Sequence, residues 1–349
     1  MSQQQTSLPP RSSSRQTVKQ PKAKQKKKRP VLKAFLILFI GLLLCVAAAI
    51  AYVLFKAGDA MDNIGIGDGN KEVVVPVSES VKKKPVAFAI LGLDSREHGG
   101  GLNTDVMMVA GFNPDTGKAI VVSIPRDSYI SSDNYRARKA NSFYAAFYNI
   151  AIKEGMDKKA AQANAMQHVR TMLGEFFDID IKYTSTINFQ GFSDVVDAVG
   201  GVKVNVSMRM KYVDNADGTN IDLQPGSQTL DGDQALGYVR YRKSNDGKNM
   251  SSDFDRNARQ GEVVGAIVDK LVSIGGIPKI GNVMDAVSTN LKMDMPKKEM
   301  ENMLKTYYNI KREDITFITL DGVWKSPYVY LDDTSLANAR KELKALMAE

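Results

Sequence analysis

Hydrophobic residues cluster along this chain in one long uninterrupted run followed by many short or periodic ones. The run at residues 34–55 holds no charged side chain. Its length gives a helix of roughly 33 Å, enough to cross a hydrocarbon core of about 30 Å. Beyond it, Val86–Leu93 is continuously apolar and suits a buried strand. Strands are expected again at 105–112 and 119–124, separated by the turn signal Asn113-Pro114-Asp115-Thr116-Gly117. Helical spacing covers 141–152 and 158–177, with a strand at 183–187, a helix at 190–199 stopped by Gly200-Gly201, and a strand at 202–206. Helices at 231–236, 254–273, 279–289, 297–308 and 333–347 and a strand at 315–320 complete the pattern. Strands interleaved with helices on this scale point to a three-layer α-β-α domain preceded by one transmembrane helix.

Charge fixes the expected orientation. Residues 1–30 carry nine Lys or Arg and no acid, and basic residues beside a membrane segment stay in the cytoplasm. The chain's formal +8 falls to −1 once the tail's nine positive charges are removed, so the exported part is near neutral. The expected organisation is a disordered basic tail (1–33), an anchor (34–55), an extracytoplasmic stem (56–84) and an extracytoplasmic domain (85–349), in a single-pass protein of the cell membrane. The tail's place against the anchor suits anionic lipid and argues against a nucleic-acid partner. The only cysteine, Cys45, lies in the anchor, and His98 and His168 are the only histidines. Disulfides and a His/Cys metal cluster are therefore excluded from the exported domain.

Four charged clusters fall where strands end or helices begin. Asp94 ends the first apolar strand and Asp105 opens the next, so a hairpin brings the two carboxylates together. They are either solvated turn residues or, lacking His or Cys company, an oxygen site for Mg²⁺. Arg126 and Asp127 follow the strand that Pro125 closes, and Lys139 and Asn141 precede a helix that Asn141 is placed to cap. Asp231 to Gln234 forms a capping box, after which residues 238–242 alternate as a strand with Arg240 and Arg242 on one face. Arg256 and Gln260 stand four apart at the start of a helix. Such arginines facing a helix start make either a polyphosphate clamp or an ion-pair network with Asp253 and Asp255.

Together these clusters resemble the LytR-CpsA-Psr family of bacterial cell-envelope proteins. The resemblance rests on LGLDSRE at 91–97, NTDVMM at 103–108, SIPRDSY at 123–129, KANSFYAAF at 139–147, INFQGFSDVVDAVGGV at 187–202, LDGDQALGYVRYRK at 230–243 and DFDRNARQ at 253–260. It covers the anchor and residues 86 to about 273, in order. It implies a central mixed sheet between helices and an apolar tunnel for a lipid. The implied activity moves a glycopolymer, such as wall teichoic acid or capsular polysaccharide, from a polyprenyl-pyrophosphate carrier onto a peptidoglycan hydroxyl. By matched position Asp94 and Asp105 hold Mg²⁺ (or Mn²⁺), while Arg126, Arg240, Arg242, Arg256, Arg259 and Gln260 surround the pyrophosphate, with Lys139 and Asn141 nearby. The proton acceptor is Asp94 or Asp127. Phe143, Phe147, Phe189, Phe192, Val195 and Val196 are candidate lipid walls or ordinary core.

Two other readings share these residues: a non-catalytic binder of polyprenyl lipid or wall polymer, and a polyprenyl-pyrophosphate hydrolase. A transcriptional regulator is disfavoured by export. The topology has a direct test. An alkaline phosphatase fused after Glu349 should be active and a cytoplasm-dependent reporter silent; the reverse pattern removes the envelope reading.

Overall fold

β1 (Val86–Leu93) is buried along almost its whole length, as its unbroken apolar sequence requires of a strand covered on both faces. The computed structural model describes residues 61–66, 74–94, 101–132, 134–215, 218–273 and 283–348. The basic tail, the expected anchor and the first stem residues lie outside these. Among the described residues no helix is long and apolar enough to cross a membrane.

In chain order β1 is followed by β2 (Thr104–Asn113), β3 (Lys118–Ser123), β4 (Tyr129–Ser132), β5 (Tyr135–Lys139), α1 (Phe143–Lys153), α2 (Lys158–Phe177), β6 (Tyr183–Asn188) and α3 (Phe189–Ala198). Next come β7 (Val202–Val206), β8 (Met210–Asp214), β9 (Thr219–Leu223), β10 (Gly226–Leu230), α4 (Gly232–Arg240) and α5 (Asp253–Ser273). The chain closes with β11 (Leu291–Met293), α6 (Lys297–Tyr307), β12 (Ile315–Thr319), β13 (Gly322–Lys325), β14 (Tyr328–Leu331) and α7 (Asp333–Ala348).

The central sheet is mixed, in the order β11-β6-β1-β2-β3-β12. β1 runs parallel to β6 and antiparallel to β2, and β3 runs parallel to β12. Alternation sends Ala87, Ala89, Leu91, Met107, Val109 and Val122 to one face, against residues of α1, α2 and α7. Phe88 leaves the other face and packs with Met300 of α6, while Phe112 meets the Tyr307 ring edge-on at 5.3 Å. Gly261 of α5 lies beside Phe317 on the same side. Helices thus cover both faces. A separate core formed by residues of α3, α4, α5 and β7–β10 stands beside the sheet.

Three local expectations are corrected. Residues 238–240 are the last turn of α4, not a strand: the capping box at Asp231 and Gln234 nucleates a helix that runs to Arg240. The β-branched and aromatic content of Tyr238, Val239 and Tyr241 favours a strand on propensity alone, but packing of Ala235, Tyr238 and Val239 into the second core decides for helix. Asn141 does not cap α1. It lies in a 3₁₀ turn (Ala140–Ser142), and its backbone N–H donates to the Arg126 carbonyl at 2.9 Å.

The third correction concerns the stem. Met61, Ile64 and Val81 are buried with Phe88, Met295 and Met300, so part of 56–84 belongs to the folded domain. Glu299, only 2 % exposed, fastens this segment by accepting from Ser80 Oγ at 2.9 Å and Val81 N at 2.8 Å, and from Asn302 Nδ2 at 2.6 Å. Replacing Glu299 with Ala strands these donors. Urea unfolding should register a loss of roughly 1.5–3 kcal/mol, and trypsin should cut earlier at Lys82–Lys84. Unchanged stability and cleavage would return the segment to a free stem.

Candidate active site

A cavity of about 410 Å³ opens between the β1–β2 end of the sheet and the second core. That is an ordinary size for a small-molecule or cofactor site, about 300–1,000 Å³. Its sheet wall follows alternation: Ile90, Gly92 and Asp94 from β1 and its end, and Val106 and Met108 from β2. Asp105 should face the opposite side on that pattern, yet it also lines the cavity. The register explains this. Gly92 pairs with Val106 but Leu93 pairs with Thr104, so Asp105 is the extra residue of a β-bulge and turns to the cavity side. A side chain at Gly92 would put a Cβ 2.9 Å from the Val106 Cβ, so glycine permits the tight pairing at that point.

Cations arrive from three directions. Arg126 comes from the turn after β3, Arg240 from the C-terminal end of α4, Arg242 and Lys243 from the segment after it, and Arg256 from the first turn of α5. Arg240 and Arg242 both reach the cavity although no strand aligns them. The Arg240 guanidinium lies over the Phe189 ring at 4.3 Å from its centroid. Ser252 and Asp255 cap the start of α5 reciprocally, with Asp255 N donating to Ser252 Oγ and Ser252 N to Asp255 Oδ2. Helical spacing then carries Arg256, Gln260 and Val264 along one cavity-facing stripe.

The electrostatics match a place built for an anion. Arg126 is paired with Asp105 and lies 3.8 Å from Asp127 through its Nε, and Arg256 is paired with Asp253. Burial, then the positive charges of Arg242 and Arg126, push the Arg256 guanidinium down to about 9, well below the ordinary guanidinium range. Burial and the Arg126 charge also lower Arg242. A base whose folded value lies below its unfolded one costs stability wherever it stays charged. Below about pH 9 the full penalty from Arg256 stands, and it is relieved as pH rises beyond that. The Nε donors of Arg126 and Arg256 and the Gln260 Oε1 acceptor are buried without a hydrogen-bond partner. Five cationic side chains stand against two carboxylates on the lining. An oxyanion would answer the unpaired donors and the repulsion together.

Most of the rest of the wall is apolar, formed by Ile187, Phe189, Phe192, Ile221, Leu236, Val239 and Val264. Of the candidate lipid walls, Phe189 and Phe192 are here. Val195 and Val196 pack in the second core, and Phe143 and Phe147 pack on the far face of the sheet, so these four do not line the cavity. Arg259 is also outside it. Its Nη2 donates to the Tyr241 carbonyl at 2.7 Å and its guanidinium lies over Tyr238, holding the segment that carries Arg240 and Arg242. Lys139 sits behind Arg126, 3.1 Å from Asp127 Oδ1, and Asn141 is tied to the Arg126 backbone. Sequence reading missed Lys243, Tyr212, Thr219 and Ile221. Lys243 ends the 230–243 motif without being singled out there, and the β8–β9 hairpin that brings Tyr212, Thr219 and Ile221 to the cavity is a tertiary event.

Asp94 and Asp105 share the lining with the arginines. Among the described residues no group of three or more His, Cys, Asp or Glu side chains comes together as a metal site. Two carboxylates and no softer donor fit Mg²⁺, which keeps most of its positions for water and phosphate oxygens.

A mixed α/β domain whose sheet end carries an arginine-lined, half-apolar cavity has the shape and charge to take an anionic ligand with an apolar part. The chain belongs to the LytR_cpsA_psr family, whose model matches residues 52–345. It is 31% identical over 278 residues to a protein of Bacillus cereus named polyisoprenyl-teichoic acid–peptidoglycan teichoic acid transferase TagU, covering 77% of this chain and 82% of that one. It is 29% identical to the transferase named TagT of Bacillus subtilis, covering 93% and 98%. Among solved structures it resembles TagT bound to LI-WTA (26% identity, TM-score 0.56, 79% of this chain and 100% of that one). Protein gbs0355 from Streptococcus agalactiae is similar too (26% identity, TM-score 0.61, 76% and 89%).

The clamp separates from the scaffold by mutation. Arg242 makes no ion pair with a described residue, so Arg242→Ala should leave the melting temperature of the empty protein nearly unchanged. Calorimetry should show it weakening inorganic pyrophosphate binding about 10–100-fold, the worth of a charged hydrogen bond. Arg259→Ala should instead lower the melting temperature. Equal pyrophosphate affinity in Arg242→Ala and the parent would refute the clamp.

Proposed function

We propose that this protein is a phosphotransferase that moves an anionic glycopolymer from a polyprenyl-pyrophosphate carrier onto a hydroxyl of peptidoglycan. The observation that carries the reading is one cavity with mutually repelling guanidiniums at one end and an apolar wall at the other. That is the polarity of a lipid diphosphate. The names of the relatives support the same reaction class.

In this reading Arg126, Arg242 and Arg256 bind the diphosphate, with Gln260 and Arg240 at its sides. Phe189, Phe192 and the neighbouring aliphatic residues take the first isoprene units, each buried CH₂ contributing about 0.8 kcal/mol. The acceptor hydroxyl attacks the phosphorus nearest the polymer and polyprenyl phosphate leaves. The protein's share is position and charge neutralisation. Of the two carboxylates considered as proton acceptor, Asp94 lines the cavity and Asp127 does not. Asp94 is therefore assigned that role. Asp94 and Asp105 would also hold Mg²⁺, which supplies further neutralisation at the diphosphate. The domain is placed outside the cytoplasmic membrane, tethered by the 34–55 segment with its basic tail inside.

The test is transfer from a synthetic lipid-pyrophosphate sugar to peptidoglycan fragments by the full chain in detergent. Transfer should occur, stop in excess EDTA and return with Mg²⁺ or Mn²⁺. Asp105→Asn should lower the rate about 10²–10³-fold without unfolding the protein. Release of free sugar phosphate without acceptor product would instead identify a hydrolase, and tight binding without turnover a lipid-binding protein. Full activity in EDTA would remove the metal.

A further inference from the structure

The β13–β14 hairpin presents an unusual surface. Trp324 is 52 % exposed, Val323 61 % and Tyr330 42 %, and Tyr129 of β4 beside them is 37 % exposed. The tyrosines form a fixed cluster. Tyr129 stacks on Tyr330 with centroids 5.5 Å apart and meets Tyr328 edge-on at 5.1 Å, and Tyr328 meets Tyr330 at 6.2 Å. Rings locked against one another in this way keep both shape and exposure, so solvent meets a rigid aromatic surface.

This surface adjoins the segment that carries Arg126 into the candidate active site. Val329, buried at the base of the hairpin, donates its N–H to the Asp127 carbonyl at 2.9 Å, and Ser128 bridges to Val329. Asp127 directly follows Arg126. On the side-chain level Lys139 joins the two regions: its Nζ is 3.1 Å from Asp127 Oδ1 and 5.6 Å from the Trp324 ring centroid. Lys139 is also the cross-strand neighbour of Tyr129. The aromatic surface therefore lies two ion pairs, Lys139–Asp127 and Asp127–Arg126, from the guanidinium proposed to bind the diphosphate.

From this adjacency we infer that the Trp324–Tyr330–Tyr129 surface is the docking platform for the acceptor, a glycan strand of amino sugars. The inference rests on the transfer reading above and names where its second substrate lies. Pyranose rings offer flat C–H faces that stack on aromatic rings and hydroxyl or amide edges that hydrogen-bond to tyrosine hydroxyls and ammonium groups. The hairpin supplies both, with Lys139 and Lys325 at the rings; Lys325 Nζ lies 5.8 Å from the Tyr330 centroid. A strand lying there has a hydroxyl to offer toward Arg126, while the carrier lipid occupies the apolar wall on the other side of the arginines.

Trp324 is the only tryptophan of the chain, so its fluorescence reports on this surface alone. The full chain in detergent is titrated with peptidoglycan glycan strands stripped of peptide, and in parallel with inorganic pyrophosphate and with phosphatidylglycerol vesicles. Glycan strands should change the emission saturably. Trp324→Ala and Tyr330→Ala should raise the acceptor KM at least about tenfold, with the lipid-substrate KM and the pyrophosphate-induced rise in melting temperature unchanged. Emission insensitive to glycan but shifted by vesicles would overturn the proposal in favour of a membrane contact. A dimer that dissociates in Trp324→Ala would overturn it in favour of a self-association face. If the chain binds glycan on Trp324 yet transfers nothing, the platform stands and the transferase reading fails; normal transfer with an unchanged acceptor KM in both variants does the opposite.

Discussion

Three guanidiniums held within range of one another in a partly desolvated cavity are the constraint on which the rest of this structure depends. Burial penalises the Arg242 and Arg256 charges, and the repulsion among Arg126, Arg242 and Arg256 adds to it. Such an arrangement persists only if the surrounding fold supplies more than it loses there. The central sheet, buried on both faces, and the second core supply that surplus. Carboxylates moderate the repulsion: Asp105 and Asp127 at Arg126, and Asp253 at Arg256. They do not remove it, and unpaired donors remain on Arg126 and Arg256. An incoming diphosphate gains what the empty site lacks, which is why preorganised charge is effective in phosphoryl transfer.

Several features that look incidental serve this one site. The β-bulge at Asp105 redirects a carboxylate toward Arg126, and Gly92 allows the strands to close at that bulge. Arg259 spends its own buried guanidinium on the Tyr241 carbonyl, fixing the exit of α4 where Arg240 and Arg242 emerge. Lys139 holds Asp127 from behind, and Asn141 anchors the Arg126 backbone. The residues around the clamp are thus mostly positioning residues. They share motifs with it because the same short segments must deliver both the charge and its support.

Much of this was legible in the sequence because strand ends and helix starts advertise themselves. Val86–Leu93 and Lys158–Phe177 are found where apolar run length and helical spacing put them. Arg256 and Gln260 share a helix face as their spacing required. What failed were judgements that only tertiary packing can make. Residues 238–240 carry strand-like side chains but are drawn into a helix by the second core. Phe143 and Phe147 have the composition of a lipid wall yet belong to the opposite face, because β1 and β2 turn α1 away from the cavity. Arg259, three residues from Arg256, points off the cavity stripe and into the scaffold. The bulge at Asp105 has no local signal, since the register slip exists only between two strands.

The central claim is that Arg256 is held charged against its surroundings until an anion arrives. Carbon-13 labelling of the arginine Cζ positions, with Arg256→Lys to assign the resonance, follows its protonation directly through an alkaline titration. In the empty protein Arg256 should hold its proton less tightly than the exposed arginines of the same chain, and saturating pyrophosphate should remove that difference. An Arg256 resonance that behaves like those of the exposed arginines without ligand, and does not respond to pyrophosphate, would contradict the account.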